Sequence, residues 1–407
     1  MLLLVVIEKA NYLGAYFSWV MDSYDLGAVV ITASVLEKLF YPTLGLLGAV
    51  LPIVFTVVSR PLGGFLMGLF SDLKGRKTLL IFTVIGYSAV IGLTGILPTY
   101  YQIGILAPVL LSVLRFLQGI FIGGDVSSSF TLAMESIGRN RGLFSGLTQS
   151  GTLVGFVIVD LVFTILARQS YFMSYGWRII FLIGIFPAIV AVLIRAKISE
   201  SPLYLKVKKP TVSEVVHGLR PLLQTIGVMI GFWMMIYAGP QFVPVLLGSI
   251  MKLPPSVYGL LALYMNVIGI LAMVVSGYLA DKVGRRAMGL IGSVVSVVVA
   301  GVLYLGIHTV PLVYAILLFG FGVNLPSAIT PAYLSERFKT ISRATGVGFS
   351  YNGAFIIAGF SSIYISFLSR FYSPYISALI VFSIGSIIAI ASLLAGPETL
   401  RESELTT

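Results

Sequence analysis

The 407-residue chain has no cysteine, which excludes disulfides, thiol nucleophiles and cysteine-ligated metals. Histidine is almost missing: His217 and His308 are the only two, and both fall in stretches that read as loops. Charge is scarce as well. Asp, Glu, Lys and Arg make up 10% of the residues, against about 25% in a typical soluble domain. So few charges cannot cover a water-facing surface, and a single soluble core does not grow to this length. The sequence also lacks a G-x-x-x-x-G-K-[ST] phosphate loop, a G-x-S-x-G elbow and a His–carboxylate cluster. These absences argue against ATP-driven work by this chain alone and against an enzyme, and they imply no metal and no cofactor.

What remains is apolar. Hydrophobic residues reach 58% and the mean hydropathy is +1.02, so lipid must be the solvent for most of the chain. A span needs about 20 apolar residues. Cutting at charges and proline clusters predicts twelve spans over 11–36, 43–70, 78–98, 104–131, 142–167, 176–196, 222–249, 256–280, 287–307, 311–334, 344–369 and 374–395. The runs are continuously apolar rather than alternating, which argues for helices over a strand barrel. The opening Met1–Ile7 run is too short for a signal peptide and lacks its basic start, so it reads as a lead-in to the first span.

The net charge of +11 is distributed by loop. One alternating set holds Lys74, Arg76, Lys77, Arg139, Arg141, Lys206, Lys208, Lys209, Lys282, Arg285, Arg286, Arg337, Lys339 and Arg343, among others. The other holds only Lys38, Arg168, Lys252 and Arg370, with Arg178 at a helix start. This bias predicts cytoplasmic termini and a cell-membrane protein, and it explains the basic balance without nucleic acid. Small residues recur at helix-contact spacing in Gly64/Gly68, Gly119/Gly123, Gly142/Gly146 and Gly151/Gly155. Such pairs let helix backbones approach closely.

An internal repeat is the strongest signal. Gly68…Asp72…Gly75-Arg76-Lys77 answers Gly277…Asp281…Gly284-Arg285-Arg286, offset by 209 residues (281 − 72). Glu135…Arg141 answers Glu336…Arg343 at offsets of 201 (336 − 135) and 202 (343 − 141). Two motifs, each at the same loop of its half, predict a six-plus-six architecture. The expected organisation is a six-helix bundle over 1–196, a basic cytoplasmic linker over 197–221, a second bundle over 222–395 and a cytoplasmic tail over 396–407.

With these motifs the chain resembles the major facilitator superfamily over nearly its whole length. More narrowly it is similar to the proton symporters for metabolites, sialic acid and aromatic acids. That likeness is carried by Trp19…Asp22…Asp25, Ser59-Arg60-Pro61, Arg115…Gln118-Gly119, Gly123-Gly124-Asp125, Gly176-Trp177-Arg178, Glu200-Ser201-Pro202, Ser335-Glu336, Ser350-Tyr351-Asn352 and the tail Gly396-Pro397-Glu398-Thr399. That branch usually has Glu-Trp after the two glycines, where this chain has Asp125-Val126. The resemblance implies an all-α transporter that works as a monomer among membrane lipids, with a small-molecule substrate and protons as the coupling ion. It also implies a gating role for Arg60, Asp72, Gly75, Arg76, Glu135, Arg141, Asp281, Gly284, Arg285, Glu336 and Arg343, with Arg60 near a cytoplasmic helix end. Asp72 and Asp281 sit where a carboxylate can cap helix donors and pair with Arg76 or Arg285.

Ionisable groups at membrane depth are costly and point to function. They are Asp22, Asp25, Arg115, Asp125 and Asp160, all in the first half. Asp22 and Asp25 can share one helix face, and an acid there can take a proton from one side and release it to the other. Arg115 can pair with either acid or hold a substrate carboxylate in a fork. Asp125 is a further proton site, and Asp160 reads as a structural hydrogen-bond partner. The second half offers neutral groups at depth: Trp233, Tyr237, Gln241, Tyr264, Asn266, Asn324, Tyr351 and Asn352, with Gln118 beside them from the first half. The expectation is proton-coupled uptake of a small organic acid, with a sugar symporter or a drug or metabolite exporter as alternatives. A membrane enzyme or a flux-free sensor fits less well, because the longest cytoplasmic loop is too short for a signalling domain.

Overall fold

A computed structural model of the chain describes residues 2–74, 76–186, 189, 212–306 and 309–400. Gly75, His308, the linker residues 197–211 and the tail residues 401–407 lie outside the described residues, as does the side chain of Arg76. The described residues form helices and turns with no strand among them. Large apolar side chains on the outer surface, such as Ile96, Ile105, Leu223 and Phe371, are exposed as lipid-facing groups must be.

The long helices track the expected runs. In order they are α1 (Leu2–Ile31), α2 (Ala33–Phe40), α3 (Leu46–Leu73), α4 (Arg76–Ile96), α5 (Leu106–Glu135), α6 (Arg141–Leu166) and α7 (Phe172–Ile183). Then follow α8 (Leu222–Ile250), α9 (Pro255–Val283), α10 (Arg285–Gly306), α11 (Leu312–Arg337), α12 (Thr340–Leu368) and α13 (Pro374–Ala395). Among the described residues nine of these are long and apolar enough to cross a membrane, or ten if the bent α1–α2 pair is one span. The shorter apolar helices Phe82–Ile96 and Phe172–Ile183 fall on the third and sixth expected runs.

Several helices break in mid-bundle. The α1–α2 pair bends by 57° at Thr32, whose hydroxyl donates to the Ala28 carbonyl, 2.5 Å away. α3 breaks between Val58 and Arg60, with Pro52 and Pro61 on either side to weaken the backbone ladder. α8 unwinds after Ala238 and α11 after Val323, at Gly239-Pro240 and just before Pro326. Non-helical backbone at this depth persists only where protein or a cavity satisfies it, so the breaks locate the interior site.

Helices α1–α7 pack among themselves and α8–α13 among themselves, and two antiparallel seams join the groups: α6 on α9, and α3 on α12. Gly142 and Gly146 face Gly277 and Met273 across the first seam, while Gly64 and Gly68 face Gly348 and Thr345 across the second. Gly119/Gly123 and Gly151/Gly155 instead pack α5 on α3 and α6 on α1, within one group.

Candidate functional site

Where the broken helices meet lies a cavity of about 40 Å³, room for roughly three waters. Among the described residues its wall carries one carboxylate, Asp22, and one cation, Arg60. Arg60 Nη2 stands 3.9 Å from Asp22 Oδ2, and both side chains are buried. Arg60 Nε donates to Asn352 Oδ1 at 3.1 Å, and its guanidinium lies 5.1 Å from the centre of the Phe355 ring. The expectation that Arg60 lies near a helix end is therefore corrected. The break at Ser59 turns it inward in the middle of α3. Lys74 lies 14 residues on (74 − 60), about 21 Å of helix, a distance that signals burial in the sequence itself.

The rest of the wall is aromatic and amide. Trp233, Gln241, Asn266, Asn324 and Tyr351 line it as the sequence suggested, and Trp19 and Gln149 join them from the first half. Tyr351 is the hub of the aromatic set, edge-on to Trp19 at 5.8 Å, Phe130 at 5.2 Å and Trp233 at 4.9 Å between ring centres. The indole of Trp233 donates to the Tyr351 carbonyl at 3.0 Å, which fixes the ring plane. Three of the proposed positioning groups, Gln118, Tyr237 and Asn352, are buried but do not line the cavity. Tyr264 is 40% exposed on the outer surface.

Arg115 is also off the wall. It donates to the Thr94 hydroxyl, lies 5.7 Å from the centre of the Phe181 ring, and interacts electrostatically with Asp25. Asp25 in turn feels Asp22. The charges thus form a chain running from the wall into the first helix group: Arg60, Asp22, Asp25, Arg115. Asp125 is separate, accepting from Ser18 Oγ at 2.9 Å and Ser129 Oγ at 3.1 Å. Asp160 accepts from Asn266 Nδ2 at 2.7 Å, a hydrogen bond that crosses the α6–α9 seam.

Contacts between the two helix groups lie at both ends of the bundle. At the basic end, Asp281 accepts from the backbone N–H groups of Gly142 and Leu143, each at 2.8 Å, and so caps α6 of the other group. Asp72 likewise accepts from the Thr345 N–H at 2.9 Å, capping the Arg343–Gly353 stretch of α12. The carboxylates do cap helices, but helices of the opposite half. Asp281 also pairs with Arg285 at 3.1 Å. The second repeat motif crosses over too: Glu135 pairs with Arg343 at 2.8 Å and Arg141 with Glu336 at 3.4 Å, while Arg285 reaches Glu336 at 3.5 Å.

The tail adds a part the sequence did not suggest. Glu398 accepts from the N–H groups of Arg285 at 2.7 Å and Arg286 at 3.0 Å, capping α10, and Thr399 Oγ1 donates to Glu336. Gly284 precedes that helix at φ +110°, a conformation glycine favours, and a Cβ there would strike Glu398. At the opposite end Ser249 Oγ donates to Glu37 at 2.8 Å and meets Ser34 Oγ at 2.9 Å, joining α8 to α2.

The family model for the Major Facilitator Superfamily matches residues 11–360. Among curated proteins, the chain is 31% identical to the inner membrane metabolite transport protein YhjE of Escherichia coli, over 84% of this chain and 82% of that protein. It is 28% identical to the proline/betaine transporter of E. coli (83% and 73%) and to a putative proline/betaine transporter of Staphylococcus aureus (83% and 77%). Among solved structures it resembles the proton:xylose symporter XylE bound to 6-bromo-6-deoxy-D-glucose, with TM-score 0.74 at 18% identity over 98% of each chain. A partially occluded inward-open form of XylE from E. coli matches with TM-score 0.72 at 19% identity, over 97% and 99%.

Proposed function

Because the chain belongs to the Major Facilitator Superfamily, a family of transporters rather than enzymes, we propose that this multi-pass membrane protein is a proton-coupled symporter importing a small carboxylate-bearing metabolite. The observation that carries the reading is the Asp22–Arg60 pair on the cavity wall. A substrate carboxylate competes with Asp22 for the Arg60 guanidinium, whose planar donors match it. Displaced from its partner in a narrow buried cavity, Asp22 takes up a proton, since an unpaired buried carboxylate is costly. One anion and one proton then load together with no net charge. Asp25 and Arg115 stand behind Asp22 as the relay, and Asp125 serves the basic end, where the loop charges assign the cytoplasm.

The cavity is contracted around roughly three waters, so loading requires the groups to part. The proposed cycle opens one end at a time. The α2–α8 contact at Ser249 releases for entry, and the two seams capped by Asp72 and Asp281 release for exit. Gating is the role given to Arg141, Glu135, Glu336, Arg343, Arg285 and Gly284 through the pairs and the turn they form there, and Asn352 steadies Arg60.

A second reading has its own support. Trp19, Trp233 and Tyr351 line the cavity beside the charge pair, and aromatic rings attract a quaternary or protonated nitrogen. A zwitterion of the kind named for the E. coli and S. aureus relatives would place its carboxylate on Arg60 and its cation among the rings. The two readings share the proton step and divide on net charge. An anion loaded with one proton carries none, whereas a zwitterion loaded with one proton carries +1 and its uptake also responds to membrane potential. Uptake of a labelled carboxylate into proteoliposomes is expected to follow an imposed inward pH gradient and to be lost in Asp22→Asn. Uptake that persists in that variant and ignores the gradient rules out coupling through Asp22.

A further inference from the structure

We propose that a cleft at the basic end binds a phosphate-type anion, most naturally the headgroup of an anionic phospholipid. The cleft has a volume of about 470 Å³ and lies where the Val212–His217 helix meets the α11–α12 connection. Gly218 packs closely against Ser342 there, where a Cβ would strike the hydroxyl. Arg220, Arg337, Lys339 and His217 line it, with Glu214 the one carboxylate among the lining residues.

These cations differ in setting. Arg220 and Lys339 are exposed, whereas Arg337 is partly buried, and its Nε has no hydrogen-bond partner among the described residues. The parts of Arg220, Arg337 and Lys339 that line the cleft offer several donors to an anion oxygen there. Arginine and lysine around a concave surface are the usual means of holding phosphate.

The rim indicates where the anion comes from. Val216 is 51% exposed and Leu223, in the first turn of α8, is 87% exposed. A leucine that bare is at home against acyl chains and not in water. Cations beside apolar side chains at a helix end match a headgroup with its chains attached, and juxtamembrane cations gain from an anionic leaflet. A free phosphate satisfies the cations alone.

The cleft also sits within the gate. Arg337 and Lys339 lie between Glu336, which pairs with Arg141, and Arg343, which pairs with Glu135. An anion there offsets the positive charge crowded around those cross-group pairs. It therefore binds the closed basic end more tightly than the open one and shifts the equilibrium toward closure.

The test is native mass spectrometry of the full chain released from nanodiscs of mixed phosphatidylglycerol and phosphatidylcholine. The parent is expected to retain phosphatidylglycerol selectively. R220Q/R337Q/K339Q should retain it about 100-fold less, since each cation near an anionic surface contributes a factor of about five. Neutralising Lys38, Lys252 and Arg370 instead, at the opposite end, should change nothing. Should the triple variant misfold, R220Q/K339Q touches only exposed residues and is expected to lose retention in the same direction. Inorganic phosphate titrated in detergent forms the second arm, and phosphate that binds through the same three cations identifies a free anion as the source. If neither phosphatidylglycerol nor phosphate depends on those cations, the cleft is not an anion site.

Discussion

Arg60 and Arg115 are both almost fully buried, yet only Arg60 reaches the cavity wall. Arg115 is held by Thr94 and by the face of Phe181, off the cavity wall. The two substitutions should therefore separate binding from coupling. Arg60→Gln removes a charge-assisted contact of about 2–3 kcal/mol, so substrate Kd should rise roughly 30- to 150-fold. Arg115→Gln should leave Kd within about threefold while uptake loses its response to a pH gradient, because Asp25 keeps its place but not its cation. Calorimetric binding in detergent and gradient-driven uptake in vesicles read the two effects. An equal loss of affinity in both variants would mean that Arg115 reaches the substrate in another conformation. At this scale the sequence was informative for the acids, since Asp22, Asp25, Asp125 and Asp160 all proved buried as their lone positions in apolar runs implied. It did not say which cation lines the cavity. Which arginine faces the cavity depends on helix rotation and on the Ser59 break, and neither is encoded in a run of apolar letters.

Helix existence was legible because a run of some 20 apolar residues has few fates. The described helices begin and end within a few residues of the expected runs in most cases. The breaks were not foreseen. They depend on local turns at Thr32, Ser59, Gly239 and Asn324 that only the packed neighbours stabilise. Glycine spacing identified contact faces without saying which helices meet, and here the structure makes a distinction. A Cβ on Gly119 would run into the Thr56 carbonyl inside the first helix group. A Cβ on Gly146 would run into the Met273 carbonyl across the seam between groups. Overpacking inside a group can be relieved only by distorting it, at about 1–3 kcal/mol. Overpacking across a moving seam is relieved by opening. Gly119→Ala is therefore expected to lower the Tm in detergent by several degrees. Gly146→Ala should keep nearly the parental Tm and raise the reaction of Ser327→Cys with an impermeant maleimide added from the basic end. The chain has no cysteine of its own, so one introduced thiol reports alone. A matching Tm loss in both variants would show that the α6–α9 seam belongs to a static core.

For the molecule as a whole, the repeat does more than duplicate a loop. Asp72 from the first group caps α12 of the second, and Asp281 from the second caps α6 of the first. The duplicated carboxylate thus closes two different seams, one on each side of the cavity. A pairwise motif in a linear sequence could not reveal this exchange, because the partner helices begin some 139 residues before Asp281 (281 − 142) and 273 after Asp72 (345 − 72). If the groups move as two rigid bodies, both caps act on one closed-to-open equilibrium, and their free energies add. Asp→Asn keeps one acceptor oxygen and removes the charge, so each change should cost about 1–2 kcal/mol of closure. Asp72→Asn or Asp281→Asn alone should then shift the equilibrium roughly 5- to 30-fold, and the double variant by about the product of the two. The rate of Ser327→Cys labelling from the basic end measures that population while closure still dominates. If the double variant opens no further than the stronger single one, the seams part independently. The two groups would then flex rather than rock, and the alternating cycle proposed for this chain would need a different moving part.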